Sequence, residues 1–354
     1  MGKKTRILVT GSAGFIGHHV VMALQDAQFD VVGLDIINQY YDPALKYDRL
    51  KVQGFEKSQI AYNTCVCSAD TPSRKFIQLD LSDKGGLEEL FAEKQFDLVV
   101  HLAAQAGVLY SLDNPMAYVE SNLVGFANML EACRKYPVKH FLFASSSSVY
   151  GLNVEIPFST NHQTDRPISF YAATKKANEV MAHSYAHLYD IPATGMRFFT
   201  VYGPWGRPDM ACFRFAKYIA EGRTIQLYNQ GNMWRDFTYI DDVVAAVMKL
   251  LRRAPKVTKK KRAHEAPYRL YNIGNNQPEQ LLEMVALLER GLHKKASIDL
   301  LPMQPGDVPV TYADVDALVA ATGYRPHTSL AVGIRKFLDW FEAYYAAQPI
   351  EKAA

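Results

Sequence analysis

The run Arg6-Ile7-Leu8-Val9-Thr10, followed at once by Gly11-x-x-Gly14-x-x-Gly17, restricts the fold more than any other stretch of the chain. The short apolar run reads as a buried strand, and the apolar pattern from His18 to Ala27 reads as a helix. Glycines at i, i+3 and i+6 between the two each have a physical task. Gly11 permits a tight turn, Gly14 lets the backbone approach a pyrophosphate, and Gly17 lets helix and strand pack closely. A purely structural turn is the alternative. The strand–turn–helix context is the one a dinucleotide site requires.

A second strand, Asp30 to Asp35, ends in an acid 18 residues after Gly17. A carboxylate there accepts bonds from adenosine ribose hydroxyls and repels a 2′-phosphate. The next residues, Ile36 and Ile37, supply no arginine, so NAD is expected rather than NADP. Lys75–Leu79 reads as a third strand, with Asp80 at its end suited to the adenine amino group. Phe15, Ile16 and Leu81 flank these positions and complete the expected cofactor contacts there. Phe96–Leu102 reads as a fourth strand. The small run Ala103, Ala104, Gln105, Ala106, Gly107 after it lets a cofactor lie across the strand ends.

A long helix is predicted from Met116 to Tyr136. Its Asn122 is either a surface residue or one turned inward to orient the loop beneath the nicotinamide. Val138–Ala144 reads as the fifth strand and leads into Ser145, Ser146, Ser147 and Ser148. Gly54 to Ser73 breaks the pattern and reads as an inserted surface excursion. Alternating apolar strands and helices predict an α/β fold with a doubly wound parallel Rossmann sheet. The 354 residues leave room for a smaller C-terminal α/β substrate-binding lobe. The expected division is 1–190 for the Rossmann domain, with the sheet continuing to about 200 and returning near 236–275. The lobe then takes 200–235 and 276–348.

Tyr171 and Lys175 stand four residues apart, on one face of a helix. An ammonium beside a phenol favours the phenolate, so the pair is a candidate general base. By itself the spacing also fits an amphipathic surface helix. The serine run, at a strand end, has hydroxyls placed to bond an alcohol or ketone that Tyr171 serves.

The net charge of +3 implies no nucleic-acid partner. The basic run Lys259-Lys260-Lys261-Arg262 reads as a solvated loop, with a phosphate or membrane contact as the lesser reading. Cys65, Cys67, Cys133 and Cys212 lack zinc-site spacing and read as free thiols, so no metal is expected. No signal peptide and no apolar run of about 18 residues is present, which predicts a cytoplasmic protein with no membrane partner.

Together, the glycine loop, the serine run and Tyr171-x-x-x-Lys175 resemble the extended short-chain dehydrogenase/reductase superfamily. Tyr171 follows Ser146 by 25 residues, which suits that family's Ser/Thr…Tyr…Lys triad. The nearest resemblance is to UDP-glucuronate 4-epimerases and spans about residues 5 to 345. It is carried by Leu102–Val108, Ser121–Gly125, Ala144–Gly151, Tyr171–Asn178, Arg197–Met210, Arg235–Asp242 and Gln304–Val308. The resemblance implies Tyr171 as base. It gives Lys175 the nicotinamide ribose and a lowering of the Tyr171 pKa, and Ser146 the sugar 4-hydroxyl, with Ser147 and Ser148 as neighbours open to that role. Thr200 stands where hexose epimerases usually carry Asn. Arg235 matches the arginine that holds the diphosphate, and Asp307 the acid that holds the uridine ribose. Leu109, Trp234 and the long excursion after Gly54 depart from the family pattern and bear on fine substrate discrimination.

Beyond Tyr171, Ile191–Phe199 reads as a strand. Pro204, Gly206 and Pro208 then make a rigid loop carrying Arg207. Its planar fork suits a carboxylate, with a loop salt bridge as the alternative. The resemblance points it at a uronate carboxylate. Thr224–Tyr228 reads as a short strand whose last residue, Tyr228, stacks on uracil. Asp241 and Asp242 are expected to cap the next helix. The final helix, Ser329–Tyr345, packs through an aromatic face.

The implied reaction is NAD-dependent 4-epimerisation of UDP-glucuronate to UDP-galacturonate through a transient 4-keto sugar. A UDP-hexose 4-epimerase is disfavoured by Thr200 and Arg207. A UDP-glucuronate decarboxylase is disfavoured by Ser148, where related decarboxylases carry Glu. A non-catalytic NAD-binding regulator is disfavoured by the intact Tyr171, Lys175 and serine run. The family also implies a homodimer, paired through Met116–Tyr136 and Phe170–Tyr189.

Overall fold

The computed structural model describes residues 4–24, 29–257, 264–304 and 306–346. The basic run Lys259–Arg262 and the end of the helix pattern after Leu24 lie outside the described residues. Eight strands form the main sheet: β1 (Thr5–Thr10), β2 (Phe29–Asp35), β3 (Cys65–Cys67), β4 (Arg74–Gln78), β5 (Leu98–His101), β6 (His140–Ser146), β7 (Ala193–Phe198) and β11 (Tyr268–Ile273). Their order is β11-β7-β6-β5-β1-β2-β4-β3, parallel throughout except for the β3–β4 pair. The order reverses between β1 and β5, so a crevice opens at the carboxyl ends of those two strands.

Strand alternation divides the core cleanly. Ile7, Val9, Val31, Val100 and Leu142 face one side, with α1 (Phe15–Ala23) and α9 (Ile240–Leu251) packed over them. Leu8, Val32, Val99, Phe141 and Phe143 face the other. That side is covered by α3 (Lys84–Lys94), α6 (Gly125–Lys135) and α7 (Phe170–Tyr189). A sheet buried on both faces needs apolar residues at both phases of the two-residue repeat, which is what these strands carry.

Two small sheets lie beyond the carboxyl edge. One joins β8 (Thr200–Tyr202), β10 (Trp234–Tyr239) and β12 (Pro278–Gln280); the other joins β9 (Thr224–Leu227) and β13 (Ser297–Leu300). With α8 (Ala211–Glu221) and the start of α10 (Leu281–Gly291) they wall the crevice, while α11 (Asp316–Thr322) packs on α9 and α12 (Leu330–Ala346) on α10. Asp236 joins these pieces: its buried carboxylate accepts from the backbone N–H groups of Asn275, Asn276 and Ala313.

Several local expectations change. The segment after Gly54 is not only a surface excursion. Cys65–Cys67 pairs antiparallel with β4 and extends the sheet at its edge. Before it, α2 (Ala44–Val52) follows β2. The helix expected from Met116 to Tyr136 is broken. Two four-residue turns, α4 (Tyr110–Asp113) and α5 (Pro115–Tyr118), lead into a π-helical turn, Val119–Val124, before α6. Asp241 and Asp242 do not cap α9, whose N-cap is Tyr239 with no side-chain cap bond. Asp242 turns inward and accepts from Tyr324 Oη at 2.6 Å and Thr328 N at 2.9 Å. Both acids still sit in the first turn, where the helix dipole favours negative charge. Among the described residues no helix is long and apolar enough to cross a membrane.

Candidate active site

The crevice is a cavity of about 520 Å³ between the main sheet and the small sheets. Its floor is the glycine loop. Gly14 is the N-cap of α1, which has neither a side-chain cap nor an acid in its first turn. The orphan backbone N–H groups of that turn are therefore the natural partners of an anion. Gly11 has φ of +71°, and a Cβ on it would lie 2.8 Å from Ala103 N. Only glycine lets this loop pass under the segment after β5. A smooth cradle, an uncapped helix end and a carboxylate one strand away fit a dinucleotide.

That carboxylate is Asp35. It accepts from Ala13 N at 3.2 Å and from Ile37 N at 2.8 Å, which fixes it at the end of β2. Phe15, Ile16, Gly17, Asp80, Leu81, Ala103 and Gln105 line the same end of the cavity. Lys46, from α2, was missed in the sequence. Its ammonium lies 3.8 Å from Asp35 Oδ1 and donates to Asn38 Oδ1 at 2.8 Å. Nothing in the local pattern marks it, because α2 carries it back across eleven residues to the strand end.

Asn122 does not line the cavity but grips the loop that does. Its Oδ1 accepts from Gln105 N at 2.8 Å, and its Nδ2 donates to Gln105 O at 3.0 Å and Thr174 Oγ1 at 3.1 Å. The π-helical turn is what rotates Asn122 inward, at 2% exposure.

Ser169 caps α7 by accepting from Ala172 N at 3.1 Å, so the helix starts at Phe170 and Tyr171 falls in its first turn. Lys175 and Glu179 follow at one-turn intervals on the same face. Glu179 makes a buried two-point ion pair with Arg197 of β7, at 2.8 Å for both contacts, and accepts from Ser145 Oγ at 2.6 Å. Register between α7, β6 and β7 is thereby pinned behind the reacting residues. Ser146 ends β6 and accepts from Ser148 N at 3.2 Å, starting a 3₁₀ turn, Ser147–Tyr150. Ser146, Ser147, Ser148, Tyr171 and Lys175 all face the cavity.

The electrostatics differ from the simple ammonium–phenol pair. Lys175 Nζ donates to Ala144 O at 3.0 Å, and burial lowers its pKa to about 8. Burial raises the Tyr171 pKa, opposed by a hydrogen bond from Ser146 and by the charge of Arg207. The Arg207 charge is the smallest of these influences and only partly offsets the burial of the phenol.

Thr200, Arg207, Tyr228, Arg235 and Asp307 line the same cavity. Arg235 Nη2 donates to Asp307 Oδ1 at 2.8 Å, so the two residues expected to grip different parts of a nucleotide form one ion pair. Arg207 engages Asp209 through Nε at 3.0 Å and through Nη2, the loop salt bridge that its position allowed, while still facing the cavity.

A nucleotide cradle running into a Tyr/Lys/Ser centre on a doubly wound sheet defines an NAD-dependent short-chain dehydrogenase-type enzyme. Residues 7–274 match the NAD dependent epimerase/dehydratase family, and the chain belongs to that family. It is 44% identical to a probable UDP-glucuronate 4-epimerase of Rhizobium meliloti, covering 96% of this chain and 98% of that one. It is 45% identical to UDP-glucuronate 4-epimerase 4 of Arabidopsis thaliana, covering 98% and 77%. Its fold matches UDP-glucuronic acid 4-epimerase from Bacillus cereus, solved with UDP-glucuronic acid and NAD. That match has a TM-score of 0.83 at 31% identity over 96% of this chain and 100% of that one.

Proposed function

We propose that the chain is an NAD-dependent UDP-glucuronate 4-epimerase that forms UDP-galacturonate. The observation that carries this reading is Arg207. It faces the same cavity as Tyr171, so one cation is within reach of both the reacting centre and a sugar carboxylate. The 44–45% identity to UDP-glucuronate 4-epimerases over nearly the whole chain supports it.

Bound NAD supplies the hydride acceptor and donor at the sugar C4. Tyr171 takes the proton of the 4-hydroxyl and later returns it, with Ser146 bonding the same oxygen. Gly11, Gly14, Phe15, Ile16 and Gly17 hold the pyrophosphate end. Asp35 takes the adenosine ribose, Asp80 and Leu81 the adenine, and Ala103, Gln105 and Lys175 the nicotinamide end. Arg235 binds the diphosphate, Asp307 the uridine ribose and Tyr228 the uracil. A 4-keto sugar would turn within the cavity, so that either face of its carbonyl could meet the nicotinamide that Ala103, Gln105 and Lys175 would hold. It is a β-keto acid, and it loses CO₂ when the carboxylate bond stands perpendicular to the carbonyl plane. Arg207 holds the carboxylate away from that geometry.

Residues 1–190 act as the cofactor domain, and 200–235 with 276–348 as the sugar-nucleotide lobe. The protein works in the cytoplasm, feeds polysaccharide synthesis and pairs as a homodimer. Exposed Met116, Val124 and Val180 on the α5–α6 and α7 surface support that pairing.

Purified protein incubated with UDP-glucuronate and followed by NMR should convert it to UDP-galacturonate. No conversion, or release of CO₂ with a pentose product, overturns the reading. Arg207→Ala should lose epimerisation and release CO₂; unchanged turnover of the uronate removes Arg207 from the mechanism.

A further inference from the structure

Arg207 does not stand alone at the cavity wall. Behind it, off the wall, Asp209 takes the Nε–Nη2 edge of its guanidinium. Tyr40, from the loop after β2, donates its hydroxyl to the same Asp209 carboxylate at 3.1 Å. The Arg207 guanidinium carbon lies 6.0 Å from the Tyr40 ring centre. Tyr40 is itself fixed. Its ring packs on Tyr110 at 4.9 Å, and a Cβ on Gly107 would strike its hydroxyl. The loop that carries Arg207 is held from the same side. Arg49 of α2 donates to the carbonyls of Trp205 and Gly206 and, at its other end, to Ala13 O in the glycine loop. Trp205 needs the hold, since its φ is +60° and it is not glycine.

A guanidinium has five N–H donors in one plane. With one edge engaged by Asp209, the remaining bidentate edge is the end-on pair Nη1 and Nη2. An arginine free to rotate loses side-chain entropy when it orders on a ligand. One already clamped meets a carboxylate in a single orientation, and orientation is what an epimerase needs if the acid is to stay on the sugar.

We propose that Asp209 and Tyr40 are positioning residues that clamp Arg207 so that its end-on edge receives the substrate carboxylate, making them determinants of uronate over neutral-sugar recognition. The proposal rests on the UDP-glucuronate reading above. It assigns to the segment after β2, which otherwise serves the cofactor, a second role at the sugar.

Burial and the Asp209 charge push the Tyr40 pKa to about 12, so it remains a donor at working pH. Burial raises the Asp209 carboxyl pKa, but the Arg207 charge outweighs it and holds the group below its ordinary range. Both partners therefore keep the protonation states the clamp requires.

The test is calorimetric binding of UDP-glucuronate and UDP-glucose to wild type, Asp209→Asn, Asp209→Glu and Tyr40→Phe, all purified with NAD and matched for melting temperature. Losing the charged partner should weaken UDP-glucuronate by about tenfold in Asp209→Asn, and losing the phenol hydroxyl by about threefold in Tyr40→Phe. UDP-glucose affinity should change less than about twofold, since it has no carboxylate for the clamped Arg207 edge to receive. Asp209→Glu should recover part of the loss, and Asp209→Asn should raise KM for the uronate more than it lowers kcat. Equal weakening for both sugars, or an unchanged uronate preference in Asp209→Asn and Tyr40→Phe, overturns the clamp. A wild-type protein that itself binds both sugars alike overturns the Arg207 reading, and the clamp falls with it.

Discussion

Lys175 Nζ donates to the main-chain oxygen of Ala144 at 3.0 Å, although Tyr171 stands one turn back on the same helix. The lysine that the motif pairs with the tyrosine is anchored to β6, while burial raises the Tyr171 pKa against the partial offset of the Ser146 hydrogen bond and the Arg207 charge.

Anchoring a lysine at 3% exposure costs stability, and the sign is testable. Burial lowers its pKa from 10.5 to about 8. Between those values the unfolded chain binds more protons than the folded one, so stability rises with pH there, and the full penalty applies below pH 8. Lys175→Met removes the penalty and the Ala144 bond together. It should abolish epimerisation yet raise unfolding free energy at pH 7 by about 1–3 kcal/mol, an advantage that fades toward pH 10. Urea melts at pH 7 and pH 10 measure it; a variant less stable than wild type at pH 7 contradicts it.

Tyr171→Phe should lower kcat by about 10²–10⁴-fold and leave NAD in the purified protein. Arg207 lowers the Tyr171 pKa, so Arg207→Ala should raise it further. Ultraviolet phenolate titration of Arg207→Ala against Arg207→Ala with Tyr171→Phe isolates that group. An unchanged or lowered titration midpoint would show that Arg207 does not act on the phenol.

Asn122→Ala removes the Asn122 bond to the Gln105 C=O and one of two acceptors of the Gln105 N–H, which also donates to Ser121 Oγ at 3.2 Å. A buried carbonyl that loses its donor should cost about 1–3 kcal/mol and loosen the loop after β5. The protein should then purify with less NAD, read from its absorbance ratio. Full NAD content at wild-type stability would place the support of that loop elsewhere.

Glu179→Ala leaves Arg197 charged and buried at 2% exposure. The expected loss is about 3–5 kcal/mol, much of it recovered by adding Arg197→Met, which removes the stranded charge. A double variant as unstable as Glu179→Ala alone would argue that packing, not charge, pins α7.

The glycine loop, the acid at the end of β2, the serine run and the Tyr171–Lys175 spacing were all legible because each is local. Backbone sterics and a helical turn bring those residues together within one stretch. The parallel sheet was legible for the same reason, since its strands are apolar at both phases. The edge strand Cys65–Cys67 was not legible, being three residues long and defined by its β4 partner. The break at Asn122 was hidden because a π turn keeps helical composition, and the bonds that hold Asn122 inward come from Gln105 and Thr174, distant in the chain. Lys46 and Tyr40 had no signature, and Asp209 lay inside the Arg197–Met210 string with nothing to mark its role. The sequence by itself determined that this chain binds a dinucleotide and carries an alcohol-oxidising centre. Only the tertiary structure decided that the Arg207 charge reaches Tyr171 and that Tyr40 joins Asp209 behind Arg207, because those interactions form through space across 36 and 169 residues of chain.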